Sequence, residues 1–213
     1  MVNEKIAALL LDIEAVFLSP DKPFTWASGI KSPIYCDNRL ILTAEDERVI
    51  VETAIADTIK QEFPETEILM GTATAGIAHA AIVAHLLHLP MGYVRSSSKG
   101  HGRQNKIEGR LKPGQKVVVI EDLISTGGSV METVLALQEA GAEVLGIVSI
   151  FTYRMKKSEE LFETNKVKVV SLSDIDTVCK IAAQKKLITA NDIDRILAFR
   201  DNPQDESWLN NGK

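Results

Sequence analysis

The chain has 213 residues, 45% of them apolar and 25% charged, with a formal net charge of −5. This is the balance of a soluble globular protein with room for one well-buried domain, and an acidic total argues against nucleic acid or an anionic membrane as partner. Cys36 and Cys179 are too few for a disulfide framework, the first residues lack a signal-peptide pattern, and no run of about 18 apolar residues occurs, so a cytoplasmic protein is expected.

Ile6, Leu9, Leu10, Ile13, Val16 and Phe17 recur at helical spacing behind Asn3, which predicts a first helix capped by that residue. Residues 19–23 form a Ser/Pro/Asp turn cluster. Thr43 is expected to cap a second helix, with Glu45 and Asp46 favourable in its first turn. A short apolar strand at 68–70 then enters Gly71, and a helix follows through His79 to His88. Tyr93 and Val94 read as a strand, and residues 116–120 as a strand buried on both faces. The next helix spans 130–140, with Gly141 closing it, and 144–151 and 167–172 supply two more strands. The polar end, 206–213, is expected to fray around a tucked-in Trp208. Strands alternating with helices predict a parallel α/β sheet flanked by helices.

The most informative segment is 117–129. Four apolar residues precede Glu121 and Asp122, and Ser125, Thr126, Gly127, Gly128 and Ser129 then open a helix. In a parallel sheet, ligands gather at the carboxyl ends of strands. Backbone N–H groups of a small-residue turn and the positive end of a helix dipole favour a phosphate there. Gly127 and Gly128 permit positive φ and close backbone approach, and the three hydroxyls add donors. Two carboxylates beside an anion site suit a ligand that also carries hydroxyls or Mg²⁺; a ribose 5-phosphate has that form. The same strand has the profile of a Walker B segment, and 71–76 begins like a P-loop. Ile77 and Ala78 stand where lysine and a hydroxyl residue are required, so the nucleotide-triphosphatase reading fails. The 71–76 turn is retained as a pyrophosphate cradle, with Thr72 and Ala73 its candidate contacts.

Residues 95–112 hold six Lys/Arg, one His and a single acid, and their glycines and serines leave no helical or strand periodicity. A long cationic loop between two strands of an anion site predicts a lid. His79, His85 and His88 share one helix without a third ligand, so packing or surface roles are expected rather than metal.

These segments resemble the type I phosphoribosyltransferases, and within them the orotate phosphoribosyltransferase family. Residues 117–129 match the fingerprint for phosphoribosyl pyrophosphate (PRPP). Residues 24–35 resemble the family's N-terminal orotate segment, the spacing of Arg95, Lys99, His101 and Gly102 its catalytic lid, and Arg154 its orotate-contacting arginine. The resemblance implies a single domain over 1–213. A hood comes mainly from 1–42 with a C-terminal contribution, over a five-stranded parallel core at about 43–172. It implies PRPP contacts from Thr72, Ala73, Arg95, Lys99, His101, Glu121, Asp122, Ser125, Thr126, Gly127, Gly128 and Ser129. Lys99, Arg95, His101 and Asp122 are the implied catalytic residues, and Ser125, Arg154, Ile34 and Tyr35 the implied orotate contacts. It further implies Mg²⁺ carried on PRPP, no protein-held metal, and a homodimer sharing its lid across the interface. Ala27 and Ser96 stand where many relatives are basic, and Arg39 or a residue of the lid is a candidate replacement for the lost charge.

Overall fold

The computed structural model describes residues 2–26, 29–95 and 106–209. Its centre is a six-stranded sheet: β5 (Ile68–Thr72), β6 (Met91–Val94), β7 (Ile107–Glu108), β8 (Lys116–Ile124), β9 (Glu143–Thr152) and β10 (Val169–Asp174). The order is β10-β9-β8-β5-β6-β7. Five of these strands run parallel, and β7 pairs antiparallel with β6 at the edge. β7 lies within the stretch expected to be irregular. Two residues are too short for periodicity to register, and their pairing with Tyr93 and Val94 holds them extended.

Side chains along β8 alternate between two cores. Val118 and Ile120 pack with Ile55 and Ile59 of α2 (Glu45–Glu62) and Val83 of α3 (Ala75–Leu87). Val117 and Val119 pack instead with Val130, Val134 and Leu137 of α4 (Gly128–Glu139) and Phe162 of α5 (Lys156–Thr164). A strand covered on both faces must be apolar throughout, which is why 117–120 reads Val-Val-Val-Ile. At full burial each such side chain is worth about 1.5–3 kcal/mol.

Boundaries differ from expectation chiefly in three places, besides shifts of two residues or fewer in α4 and β10. Helix α1 is Val2–Asp12, with Asn3 inside it, while Val16 and Phe17 belong to strand β1 (Val16–Leu18), paired antiparallel with β4 (Ile34–Cys36). Glu14 takes a positive φ of 58° between them, so the apolar pattern crosses a chain reversal. Thr43 ends a 3-10 helix (Asn38–Thr43), its hydroxyl donating to the Leu40 carbonyl, and Ala44 caps α2 instead. Strand β8 continues four residues past Ile120, because Glu121, Leu123 and Ile124 keep their register against Ser149, Phe151 and Thr152 of β9.

The N-terminal segment is tied to the C-terminal one. Hairpin strands β2 (Phe24–Thr25) and β3 (Lys31–Ser32) precede β4. Trp26 stacks edge-on against Tyr153 and Phe199, and Phe199 against the buried Trp208. Arg195 of α7 (Ala190–Asp201) is buried, donating to the carbonyls of Pro20 and Trp208 and pairing with Asp21 at 2.7 Å. Helix α1 packs instead on α6 (Ile175–Gln184) and β10. His79 is a core residue, its Nδ1 2.6 Å from the buried Glu52 carboxylate, while His85 and His88 are exposed. No helix of the described residues is long and apolar enough to cross a membrane.

Candidate active site

After β5 the chain builds outward to β6, and from β8 it builds the other way through β9 to β10. The topological switch therefore falls between β5 and β8, where a cleft opens at the strand ends. Two adjoining cavities occupy it. One, about 400 Å³, is lined by Asp37, Arg39, Ala73, Thr74, Ala75, Glu121, Asp122 and Ser129, among others. The second, about 370 Å³, is bounded by Thr72, Ala73, Arg95, Lys106, Gly128, Ser129 and Glu132, among others. Ala73 and Ser129 are common to both, so the pyrophosphate-cradle turn and the start of α4 form their shared wall. A groove of about 530 Å³ among Val2, Ile6, Val49, Ala54 and Val170 shares no lining residue with either.

The turn after β8 has the geometry its residues predict. Gly127 caps α4 with φ 76°, and a Cβ there would meet the Phe162 ring at 2.8 Å. Gly128 is different: it is the first residue of the helix, with open space where a Cβ would stand, so close approach does not require glycine there. Strand β5 runs through Gly71 to Thr72, leaving Ala73 and Thr74, joined by a cis peptide, as the connection to α3.

Glu121 and Asp122 occupy adjacent positions on β8, and both line the first cavity. Glu121 is 6% exposed, and burial pushes its carboxyl well above the ordinary range, with the Asp122 charge adding to the effect. Asp122 is half-buried, and its backbone carbonyl accepts from Asn38 Nδ2 at 2.6 Å. Asn38 in turn accepts from the Cys36 thiol at 3.3 Å. That link between the N-terminal 3-10 helix and the acidic strand was not foreseen from sequence. Next to it, Arg39 forms a two-pronged pair with Asp37, Nε to Oδ1 at 2.6 Å and Nη2 to Oδ2 at 2.7 Å, and holds the Asp37 carboxyl below its ordinary value. Burial raises the Cys36 thiol, and pushes the Cys179 thiol up to about 12.

A phosphoribosyl transferase domain model matches residues 41–183. The chain is 53% identical to the orotate phosphoribosyltransferase of Bacillus subtilis (strain 168), over 98% of this chain and 97% of that one. It belongs to the orotate phosphoribosyltransferase family. Among solved structures, it resembles orotate phosphoribosyltransferase from Aeropyrum pernix with a TM-score of 0.74 and 28% identity, covering 86% of this chain and 99% of that one. It resembles Leishmania donovani UMP synthase with a TM-score of 0.78 and 25% identity, covering 93% of this chain but only 42% of that longer one.

Glu121, Asp122, Thr72, Ala73, Arg95, Gly128 and Ser129 converge on the two cavities. Ser125, Thr126 and Gly127 lie on the turn between them and α5, with Thr126 in a third cavity of about 530 Å³ beside Trp26, Ile30, Lys156 and Lys157. Arg95 reaches Glu108 with its Nε 3.2 Å from Oε1, and Lys106 lies 3.5 Å from Glu132. Tyr35 is part-exposed and stacks on Phe24, whereas the Ile34 side chain is wholly buried, so only its backbone could meet a ligand. Arg154 lies apart, with φ 50°. Its guanidinium is 3.4 Å from both Glu159 and Asp176 in a separate pocket with Ser158 and Phe162. Lys99 and His101, like Ala27 and Ser96, lie outside the described residues.

The raised Glu121 carboxyl has a consequence for stability. The unfolded chain releases this proton near the ordinary 4.5, the folded chain only at higher pH. Folding therefore takes up a proton in that window, and stability falls as pH rises through it. Glu121→Gln removes the penalty. We expect its Tm to exceed wild type at pH 8, at roughly 2–4 °C per kcal/mol, with the gain vanishing near pH 4. Thermal melts across pH check this; a gain that is equal at pH 4 and pH 8 would contradict it.

Proposed function

We propose that this chain transfers the phosphoribosyl group of PRPP to orotate, giving orotidine 5′-monophosphate and pyrophosphate in the pyrimidine pathway. The observation that carries the reading is the meeting, in one cleft, of the acids of β8, the helix start at Gly128 and Ser129, and the Ala73–Thr74 connection. Near full-length identity to proteins named for this activity supports it.

In this reaction the bond from ribose C1 to the pyrophosphate oxygen breaks, and a bond from C1 to orotate N1 forms. Charge develops in both directions, positive on the ribose and negative on the leaving group. Ser125, Thr126, Gly127, Gly128 and Ser129 hold the 5′-phosphate through N–H groups and hydroxyls, which positions C1 without discriminating between ground and transition states. Asp122, at the cavity wall, holds ribose hydroxyls and places negative charge beside the cationic ring. Glu121, buried and inclined to keep its proton, serves better as a hydroxyl partner than as a charge. Thr72 and Ala73 meet the pyrophosphate, and Arg95 with Lys99 and His101 neutralises it as it departs. Orotate N1 is acidic enough to require no strong general base.

Among the described residues no group of three His, Cys, Asp or Glu side chains is placed to hold a metal. Asp122 offers one carboxylate on the cavity wall, Asp37 being taken by Arg39 on both oxygens, which fits Mg²⁺ arriving on the substrate's phosphates better than a protein cage. When bound, the ion supplies charge neutralisation on the pyrophosphate. A homodimer sharing its lid, in the cytoplasm, completes the reading, and sedimentation tests the dimer.

Arg154 is the proposed partner of the orotate carboxylate, since guanidinium matches a carboxylate in two-pronged fashion. Its pairs with Glu159 and Asp176 are long and exposed, so releasing them costs at most about 1 kcal/mol. Arg154→Ala is expected to raise the orotate KM about tenfold with the PRPP KM unchanged. An unchanged orotate KM would move carboxylate recognition to Lys156 or Lys157 in the Trp26 cavity. The activity itself is tested by loss of orotate absorbance with PRPP and Mg²⁺, run beside adenine, hypoxanthine and uracil. Turnover of another base, or of none, overturns the assignment.

A further inference from the structure

The connection from β5 to α3 carries no cation: Thr72, Ala73, Thr74 and Ala75 are all uncharged. Backbone N–H groups can meet pyrophosphate oxygens there, and on one side, in the adjoining cavity, Arg95 and Lys106 supply cations. The cavity that this connection lines also contains the carboxylates of Asp37, Glu121 and Asp122. Among its described lining residues Arg39 is the single cation.

Arg39 is placed, not loose. Asp37 caps the 3-10 helix by accepting from the Arg39 backbone N–H, and the same carboxylate takes Nε and Nη2 of the side chain. The preceding residue, Asn38, is buried and bonded to the Asp122 carbonyl, so the register between Arg39 and the acidic strand is set within one residue. Yet the Arg39 side chain remains 66% exposed, although Asp37 already holds two of its nitrogens. A guanidinium has five N–H donors, so three are not taken by Asp37, on a side chain that lines the cavity. An isolated surface pair would gain little from such organisation.

We infer that Arg39 is a pyrophosphate-binding residue, contacting the diphosphate of PRPP and of the product across from Ala73 and Thr74. The inference rests on the phosphoribosyl-transfer reading above. It supplies from the N-terminal segment the charge that the connection lacks. It also assigns a role to Asp37, which orients the guanidinium by holding its Nε edge and leaves the opposite edge for phosphate oxygens. Arg39 is then a contact to substrate, and Asp37 a positioning residue acting through it.

The test compares wild type with Arg39→Gln and Asp37→Asn. Wild-type turnover of orotate is established first, because its absence would overturn the phosphoribosyl-transfer reading and not this contact alone. With turnover in hand, Arg39→Gln is expected to raise both the PRPP KM and the inhibition constant for pyrophosphate roughly ten- to a hundredfold, the loss of a charge-assisted hydrogen bond. The orotate KM and the inhibition constant for ribose 5-phosphate should stay within about threefold, and Tm within about 2 °C, since the side chain is exposed. Asp37→Asn keeps the cation but loosens its orientation, so a clearly smaller loss in the same two constants is expected. An unchanged pyrophosphate inhibition constant in Arg39→Gln overturns the inference. So does an equal loss in Asp37→Asn, which would make the ion pair itself, rather than the cation, the active feature.

Discussion

Asp122→Asn should lower kcat by roughly 10²–10³-fold while moving Tm by less than about 2 °C. The contrast follows from how Asp122 is held. Its backbone is held twice, the carbonyl accepting from Asn38 and the amide donating to Glu121 Oε1 at 3.1 Å, and its carboxyl lies against that of Glu121. Asparagine retains both bonds, the side-chain volume and the place on β8. What is lost is a negative charge on the wall of the cleft, beside the ribose in the proposed reaction. A charge that interacts more strongly with the developing cation than with neutral PRPP ribose acts on kcat rather than on KM. Removing it also relieves Glu121, whose proton is held partly by the Asp122 charge, so the remaining carboxyl should titrate lower. Steady-state kinetics at saturating PRPP and orotate decide the matter. A kcat within about threefold of wild type would leave Asp122 with binding alone.

The chemistry was more legible in this sequence than the architecture around it. Residues 117–129 announce a site because three requirements are local: an apolar strand buried on both faces, acids at its end, and small residues where a helix must begin. Each is written within a few residues. The first-helix error has a local cause too. Val16 and Phe17 fall at helical spacing from Ile13, but a reversal at Glu14 turns them into a strand whose partner, β4, lies eighteen residues on. Long-range pairing of that kind leaves no period. The same holds for β7, which is two residues long and exists because β6 has a free edge.

The contribution of the 37–39 segment could be read only in part. Arg39 could be singled out as a charge standing near the expected orotate segment, but its proximity to Ala73 and Asp122 depends on how the 3-10 helix docks against the sheet. Asn38 gave no signal at all, since a buried amide donating to a carbonyl 84 residues away has no sequence pattern. Arg154 presents the opposite case. Resemblance places it at the orotate carboxylate, whereas its side chain here is engaged by Glu159 and Asp176. Resemblance carries over a residue's neighbourhood in sequence; which carboxylate a long, exposed side chain meets is set by small free-energy differences.

Gly76→Ala should be the most disruptive single-methyl change in the cleft. A Cβ at Gly76 would stand 2.5 Å from the Ile120 carbonyl oxygen and 3.4 Å from its carbon, and Glu121 Cα would be 3.6 Å away. The obstructing atoms are backbone in the central strand, where no side chain can rotate aside. Gly71 is constrained in turn, since a Cβ there would stand 2.8 Å from the Gly76 carbonyl oxygen and 2.9 Å from Ile77 Cα. These two glycines let α3 start directly against β8, so the Ala73–Thr74 connection and the Glu121–Asp122 pair share a cleft. To relieve the clash, α3 or β8 must shift, and both are fully packed: Ala80 and Val83 on one, Val118 and Ile120 on the other. Overpacking of this kind costs about 1–3 kcal/mol, which at this chain length lowers Tm by roughly 2–12 °C. The displacement also separates the two walls that would hold the leaving group and the ribose. Misplacement by about 1 Å can cost as much as 10²-fold in rate, so activity should fall further than stability does. Melting curves and PRPP kinetics on the same preparation separate the two effects. A variant with wild-type Tm and wild-type kcat/KM would show that the cleft does not depend on close contact between α3 and β8.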